Sequence, residues 1–305
     1  MRNNNDEKYI EANAKKMAQE QLRNVVSTIF LTGEKYSIDI PAMSAIYESP
    51  LNPGMKLLGD KIKQEMLNKW PQLSYVFRDD KRNLSYEPIL LTKREGIVYS
   101  PEASFVDISE NYMDMVIPDI EDMMPVDKIL YIKKYQINNM IDLHSSIKIS
   151  VATFGQDQRH RTIKRTVPVF TGEFYSPEVI TRLHIENEIN VLMGKWKELN
   201  GKIGILFEGI APYGAVVHYE KKANINALAH EQQKRLCWCA QEEIYNVNRI
   251  LRDDLEDVFP NSNYSLLLDI FLPPCMKEGG KCYEGGRFCR RAERDKTNPC
   301  PERKI

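Results

Sequence analysis

At 305 residues, with 42% hydrophobic and 28% charged side chains, the chain can bury a substantial core and has the composition of an ordinary folded protein. A formal net charge of −1 argues against a generally nucleic-acid-coating surface, and no apolar run approaches the roughly 18 residues needed to cross a bilayer. The Asn-, Glu- and Lys-rich start has no apolar signal core, which points to the cytoplasm.

The N-terminal stretch to Ile40 reads as a strand-prone segment with a turn from Gln21 onward. Met55 to Pro71 is an amphipathic helical pattern stopped by its proline, and Arg78–Asn83 is a turn or linker. Ile89–Leu91 and Gly96–Tyr99 are β-prone, the acidic, Met-rich stretch Asp107–Asp127 is irregular, and Asp127–Asn138 resumes a helical pattern. Ser146–Phe154 alternates like a half-buried strand. Pro177–Lys197 is helical, with Pro177 suited to a first turn. Leu206–Ile225 is strand-prone, Ala227–Leu251 reads as one helix, and Ile244–Pro260 again ends a helix on proline. This last layout matches that of residues 21–71, so the chain is read as partly duplicated, against the alternative of two unrelated helix-proline endings. The fold class is α+β, with helices packed around a small, mainly antiparallel sheet.

Three groups of residues carry chemistry. Gln156-Asp157-Gln158-Arg159-His160-Arg161-Thr162 sets two guanidiniums around an imidazole, which suits an anion with several acceptor oxygens; the plain alternative is a solvated Arg-rich surface. Asn224 to His230, followed by Arg235 and Gln241, forms the second group. Asn224 or Asn226 caps a helix there, and the plain reading of Arg235 is a surface pair with Glu231 or Glu242. The third is Cys275-x6-Cys282-x6-Cys289-x10-Cys300, which as four thiolates suits a tetrahedral structural zinc; unbound thiols and disulfides stay open. His184 and His218 lack a partner at ligand spacing, and Trp196 and Trp238 read as core. No Gly-rich dinucleotide fingerprint, Walker loop or His-Glu-x-x-His motif is present.

Together these segments resemble the flavin-dependent thymidylate synthases, the ThyX family. The matching pieces are His144 before a strand, Gln156-x-x-Arg159-His160-Arg161, Pro212, Asn224-x-x-x-Leu228-x-His230, Arg235, and Ala240-Gln241-x-Glu243-Ile244. The resemblance implies reductive methylation of dUMP to dTMP, with FAD as cofactor and methylenetetrahydrofolate and NADPH as co-substrates. It also implies a homo-oligomer, as the family's sites are shared between subunits. Arg159, His160 and Arg161, with Asn224 and His230, would contact the flavin. Gln156, Arg23, Arg235 and Gln241 would contact the nucleotide, with Arg235 the catalytic residue.

There are departures from the family pattern. The serine and arginine of its nucleotide loop fall here at Val169 and Thr171, and its phosphate-binding arginine is Glu208. Met17–Arg23 resembles the segment that bears this arginine, so Arg23 supplies it from the other copy, and Ser49-Pro50-Leu51 stands where that copy's later arginine would be. The expected organisation is a partial first module over 1–77, a connecting region over 78–139, a second module over 140–270 and a Cys-rich tail over 271–305. A tail of this kind is shared by tandem members of the family, in keeping with possible zinc. Two rival readings follow from the departures: a related pyrimidine-nucleotide-modifying enzyme, or a degenerate flavin- or nucleotide-binding subunit.

Overall fold

Alternation of inward and outward side chains along Asp142–Ser150 builds the centre of a sheet. The computed structural model describes residues 7–28, 37–86, 94–108, 142–199, 202, 208–258, 268–277, 279–285, 289 and 300–303. The chain divides into two compact units, one of residues 1–26, 91–194 and 212–305, the other of 27–90 and 195–211.

The larger unit opens with helix α1, Glu7–Leu22, and a 3-10 turn at Arg23–Val25. Its strands are β1 (Ile97–Val98), β2 (Glu102–Ile108), β3 (Asp142–Ser150), β4 (Lys164–Arg165), β5 (Val169–Tyr175) and β6 (Ala215–Asn224). They pair in the order β1-β5-β6-β3-β2, with β4 also on β6. Only β1 and β5 run parallel among these pairs, so the sheet is mainly antiparallel. The register slips between Phe170 and Phe174 of β5, where Gly172 takes a φ of 89° that a side chain would resist. The expected α+β class holds.

One face of β3 and β6 carries Ile147 opposite Tyr219, Ser145 opposite Lys221 and Leu143 opposite Ala223. Against this face lies the helix Glu242–Val258, numbered α8 below, whose Val247 and Leu251 are buried with Ile147, Ile149 and Tyr219. Buried Ile244, Val247, Leu251 and Leu255 recur at helical spacing and make its apolar stripe. A second core cluster joins Leu143, Ile163, Leu228, Leu255 and Phe271.

The remaining helices of this unit interrupt patterns that looked continuous. Ser146–Phe154 is not one strand: β3 ends at Ser150, whose hydroxyl accepts from Thr153 N and starts α4, Val151–Asp157. The pattern Pro177–Lys197 splits into α5 (Glu178–Arg182) and α6 (Glu186–Glu198). His184, at φ 53°, ends the first of them in the left-handed conformation. Ala227–Leu251 likewise divides into α7, Ile225–Arg235, and α8. The described part of Gln21–Ile40 holds no long strand, since Gln21 and Leu22 finish α1.

In the smaller unit α2, Ile40–Glu48, and α3, Pro53–Lys69, are capped by Asp39 and Asn52, each accepting from a backbone N–H three residues on. Tyr47, Val76 and Phe77 are buried there with Met43, Ile62 and Met66 around them. The Arg82 guanidinium lies 4.1 Å from the Tyr47 ring centre, a cation-π contact. Trp196 is buried at 3% exposure, as expected for core, whereas Trp238 of the larger unit is half-buried in a turn. The expectations for Ile89–Leu91, most of Asp107–Asp127, Asp127–Asn138 and Leu206–Phe207 fall outside the described residues.

Leu251 is wholly buried against the strands that place the site. Leu251→Ala is expected to lower stability by about 2–5 kcal/mol, read as a fall in urea midpoint with an unchanged slope.

Candidate functional site

The site grows from the junction of β3 and α4. Glu243, 1% exposed, accepts from Ser150 N at 2.6 Å, Ser150 Oγ at 2.5 Å and Thr153 Oγ1 at 2.5 Å. Burial pushes its carboxyl above the usual range, opposed by these hydrogen bonds. The contact fastens the first turn of α4 to the first turn of α8, and so fixes where the far end of α4 points.

That end carries Gln156. Gln156 Nε2 donates to Gln241 Oε1 at 2.5 Å and Arg23 Nη2 donates to the same oxygen at 3.2 Å, while Thr153 Oγ1, whose one proton goes to Glu243, lies 3.2 Å away. Two N–H donors on one oxygen fix the orientation of the Gln241 amide. Arg23 reaches this point because its turn is stitched to the loop before β6: Gly214 N donates to Asn24 O at 2.8 Å and Tyr213 N to Val26 O at 2.8 Å. A Cβ on Gly214 would stand 2.4 Å from the Phe174 ring, so the approach requires glycine. Gln21 adds a buried bond to Glu242 Oε2 at 3.0 Å.

Arg235, the last residue of α7, enters from another side. Its Nη2 donates to Gln156 O at 2.7 Å and its Nε to His160 Nε2 at 3.1 Å. An imidazole nitrogen that accepts from a guanidinium must carry a lone pair, so His160 is neutral with its proton on Nδ1. Burial and the neighbouring Arg235 charge lower its pKa from 6.5 to about 4. The His230 ring meets that of His160 edge to face at 5.7 Å.

Behind this layer lies a buried ionic group that the sequence reading missed. Asp157, Lys221 and Glu231 are all 2% exposed or less. Lys221 Nζ bridges Glu231 Oε2 at 2.8 Å and Asp157 Oδ1 at 3.3 Å. Arg165 Nε pairs with the Asp157 carboxylate, while its other nitrogens donate to the carbonyls of Asp157, His160 and Ile163. Burial alone would raise the Asp157 pKa, but Lys221, a hydrogen bond from Glu231 and Arg165 together hold it far below the carboxylate range. Glu231 goes the other way: burial, with Asp157 adding to it against Lys221, pushes it up to about 8. The only signal for this group in the sequence was the inward parity of Lys221, between Tyr219 and Ala223 on β6.

The structure thus brings Arg23, Gln156, His160, His230, Arg235 and Gln241 together. Arg159 and Arg161 are exposed beside them, and the Arg159 charge depresses the pKa of Arg235, after burial itself. The surface pairing of Arg235 with Glu231 or Glu242 is not what forms; Glu231 is taken by Lys221. Asn224 caps α7, its side chain accepting from Ala227 N at 2.9 Å. Val169 and Thr171 lie in β5, with Thr171 buried and its hydroxyl on Val216 O at 3.4 Å. Among the described residues no group of three or more His, Cys, Asp or Glu is arranged to hold a metal ion, so geometry lends no support to a centre at Cys275, Cys282, Cys289 and Cys300. No described helix is long and apolar enough to cross a membrane.

A separate cavity of about 290 Å³ opens on the other face of the sheet, lined by Glu102, Ser146, Lys148 and His218 among others. Lys148 Nζ meets Glu102 at 2.6 Å and Glu173 at 3.2 Å, and Ser146 Oγ lies 2.8 Å from His218 Nε2. His218 is thus a partly buried polar contact, not an isolated residue. Of the positions expected near the nucleotide, Thr171 lines this cavity, and none of the residues gathered at Gln241 does.

No protein-family model matches the sequence, and neither does any curated protein. Among solved structures, the chain is similar to a UMP/dUMP methylase, PolB from Streptomyces cacaoi, bound with 5-Br UMP: TM-score 0.45, 13% identity, covering 58% of this chain and 96% of that one. The same protein bound with 5-Br dUMP gives a TM-score of 0.43 at the same identity and coverage. A likeness at this level says nothing of what this chain binds.

Two outcomes follow from the charges. Glu231 keeps its proton at neutral pH, so Glu231→Gln should cost under about 1 kcal/mol, while Asp157→Asn, which strands Lys221, should cost about 3–5 kcal/mol. A carboxyl whose folded pKa is raised destabilises the fold as pH rises from 4.5 to about 8, and Glu231→Gln should remove that decline from denaturation curves. His160, with a lowered folded pKa, acts in the opposite direction. Its contribution is full above pH 6.5 and lost as pH falls through about 4, and an imidazole NMR titration should place its midpoint near 4, well below the usual imidazole value of 6.5.

Proposed function

We propose that this cluster binds a pyrimidine nucleotide beside a flavin, and that the chain reductively methylates dUMP to dTMP with FAD, methylenetetrahydrofolate and NADPH. The observation that carries the reading is the convergence of Arg23 and Arg235 on the Gln156–Gln241 pair, through contacts that span 79 to 218 residues of sequence.

The donor set fits anionic, oxygen-rich ligands. Arg23 Nε is buried with no hydrogen-bond partner, a state that calls for an acceptor. Nη1 of Arg235 and the NH2 of Gln241 donate to nothing among the described residues, and exposed Arg159 and Arg161 add two further forks. Arg235 is held from behind by neutral His160 and the Gln156 carbonyl, neither of which neutralises its charge. It can therefore present a full positive charge to a uracil or phosphate edge without reorganising. Gln241, fixed by the Gln156 and Arg23 donors, keeps its amide NH2 pointed for a base carbonyl. A flavin in contact with Arg159, His160 and Arg161 would supply the reducing chemistry, and guanidiniums near its pyrimidine ring would favour the negative charge of its reduced form.

A second reading has its own support. The positions expected to form a nucleotide loop, Val169 and Thr171, are strand residues of β5. The base, the carbon donor or the phosphate contact then differs from the usual pattern, and the chain is a related pyrimidine-nucleotide-modifying enzyme or a binding subunit without turnover.

Purified protein should be yellow, anaerobic addition of dUMP should shift the flavin spectrum, and tritium should be released from C5-labelled dUMP. Binding and spectral shift without tritium release would select the second reading. Arg23→Ala and Arg235→Ala should each weaken dUMP binding about 30-fold or more in calorimetric titration; parental affinity in Arg23→Ala would sink the composite site.

A further inference from the structure

The connection Leu236–Gln241 between α7 and α8 bears the burden of placing Arg235 at one end and Gln241 at the other. It is a turn, closed by Ala240 N on Cys237 O at 2.8 Å, with no proline to stiffen it. The C-terminal segment holds it. Arg303, 7% exposed, donates from Nη1 to Ala240 O, the carbonyl directly before Gln241. Its own backbone is gripped at both polar atoms by one side chain: Asn246 Nδ2 donates to Arg303 O at 2.9 Å and Arg303 N donates to Asn246 Oδ1 at 3.1 Å. Tyr245 Oη donates to Pro301 O at 2.8 Å. At the other end of the connection, Leu236 is wholly buried against Leu272 and Cys300.

A guanidinium at the start of a helix stands against the helix dipole, which disfavours a cation there. Buried Glu242 and Glu243 in the first turn of α8 offset it. Such a place is poor for general stabilisation and good for holding one carbonyl. The Ala240 peptide sets the direction in which Gln241 leaves the turn, and Gln241 Oε1 is the point at which Arg23, Thr153 and Gln156 meet.

We propose that Cys300–Arg303 is a clamp for the nucleotide site, with Arg303 a positioning residue that acts through Gln241. This rests on the reading of the cluster as a nucleotide site, and deepens it by giving the tail a role other than metal binding. Displacing a fixed polar group by even an ångström is costly to a preorganised site, so the clamp governs affinity without touching the ligand.

The test is a double-mutant cycle on the full chain, with dUMP as the probe in calorimetric titration. Arg303→Ala should weaken dUMP binding roughly tenfold in the parent and by less than about twofold when added to Gln241→Ala, because the two act as one unit. Arg303→Lys, which keeps a donor, should recover most of the loss. Parental affinity in Arg303→Ala, or a full additional loss on top of Gln241→Ala, overturns the clamp. Should Arg303→Ala not fold, Tyr245→Phe removes only the bond to Pro301 and should weaken binding about threefold, again without effect on Gln241→Ala. If the parent does not bind dUMP, the proposed function fails, and amide hydrogen exchange decides the clamp separately. Faster exchange in the variant confined to Cys239–Glu243 sustains it, and exchange equal to the parent's overturns it.

Discussion

The Asp157 carboxylate is the fixed point from which the functional site is built. It has no exposure, and an isolated buried ion costs several kcal/mol even after relaxation. The fold can therefore place it only where its partners are complete. Lys221 comes from β6, Glu231 from α7 and Arg165 from β4, so meeting this one requirement fixes three elements relative to α4. Arg165 does more than neutralise. By donating to the carbonyls of Asp157, His160 and Ile163 it winds the turn after α4 around itself. His160 is held by that turn, and Arg235 by His160.

The charge balance of this group follows from the same burial. With Glu231 protonated by a pKa raised to about 8, Asp157 is the one full anion facing the cations of Lys221, Arg165 and Arg235. The surplus is positive, and Arg159 and Arg161 extend it outward. Burial lowers the Arg235 pKa, Glu231 and Asp157 oppose that shift, and Arg159 and Arg165 add to it more weakly. The neutral imidazole of His160 suits that arrangement, since a protonated one would repel Arg235 and lose the bond its Nε2 accepts.

Much of this was readable from residue types and order, and the remainder was not for definite reasons. The alternation along β3, the helical stripe of α8 and the antiparallel α+β class are local patterns of period two and 3.6. The Arg-His-Arg segment and Arg235 stood out as chemistry. Helix breaks did not. Neither Leu183–Ile185 nor Leu236–Gln241 contains proline or glycine; the first turn closes through local backbone bonds and a left-handed His184, and the second is held by Arg303 from far along the chain. Ser150 looked like a strand residue because it is one; its hydroxyl also caps α4, and a cap inside an apolar run has no periodic signature. Lys221 was legible only as an inward-facing cation, and its need for Asp157 and Glu231 appears once the strand and helix are in place.

The N-terminal segment is part of the site's framework, although it lies more than 100 residues before the strand that opens the cluster. Gln21 closes on Glu242, Arg23 on Gln241, and Asn24 and Val26 on Gly214 and Tyr213 through backbone bonds. Residues 140–270 taken alone would leave the Gln241 acceptor without one of its donors. They would also leave Gly214, packed between the Phe174 ring and the Asn24 carbonyl, without the second of these neighbours. Arg23 sits on a turn whose backbone is tied to the same loop that precedes β6, so the strand that carries Lys221 also fixes where the Arg23 guanidinium meets Gln241.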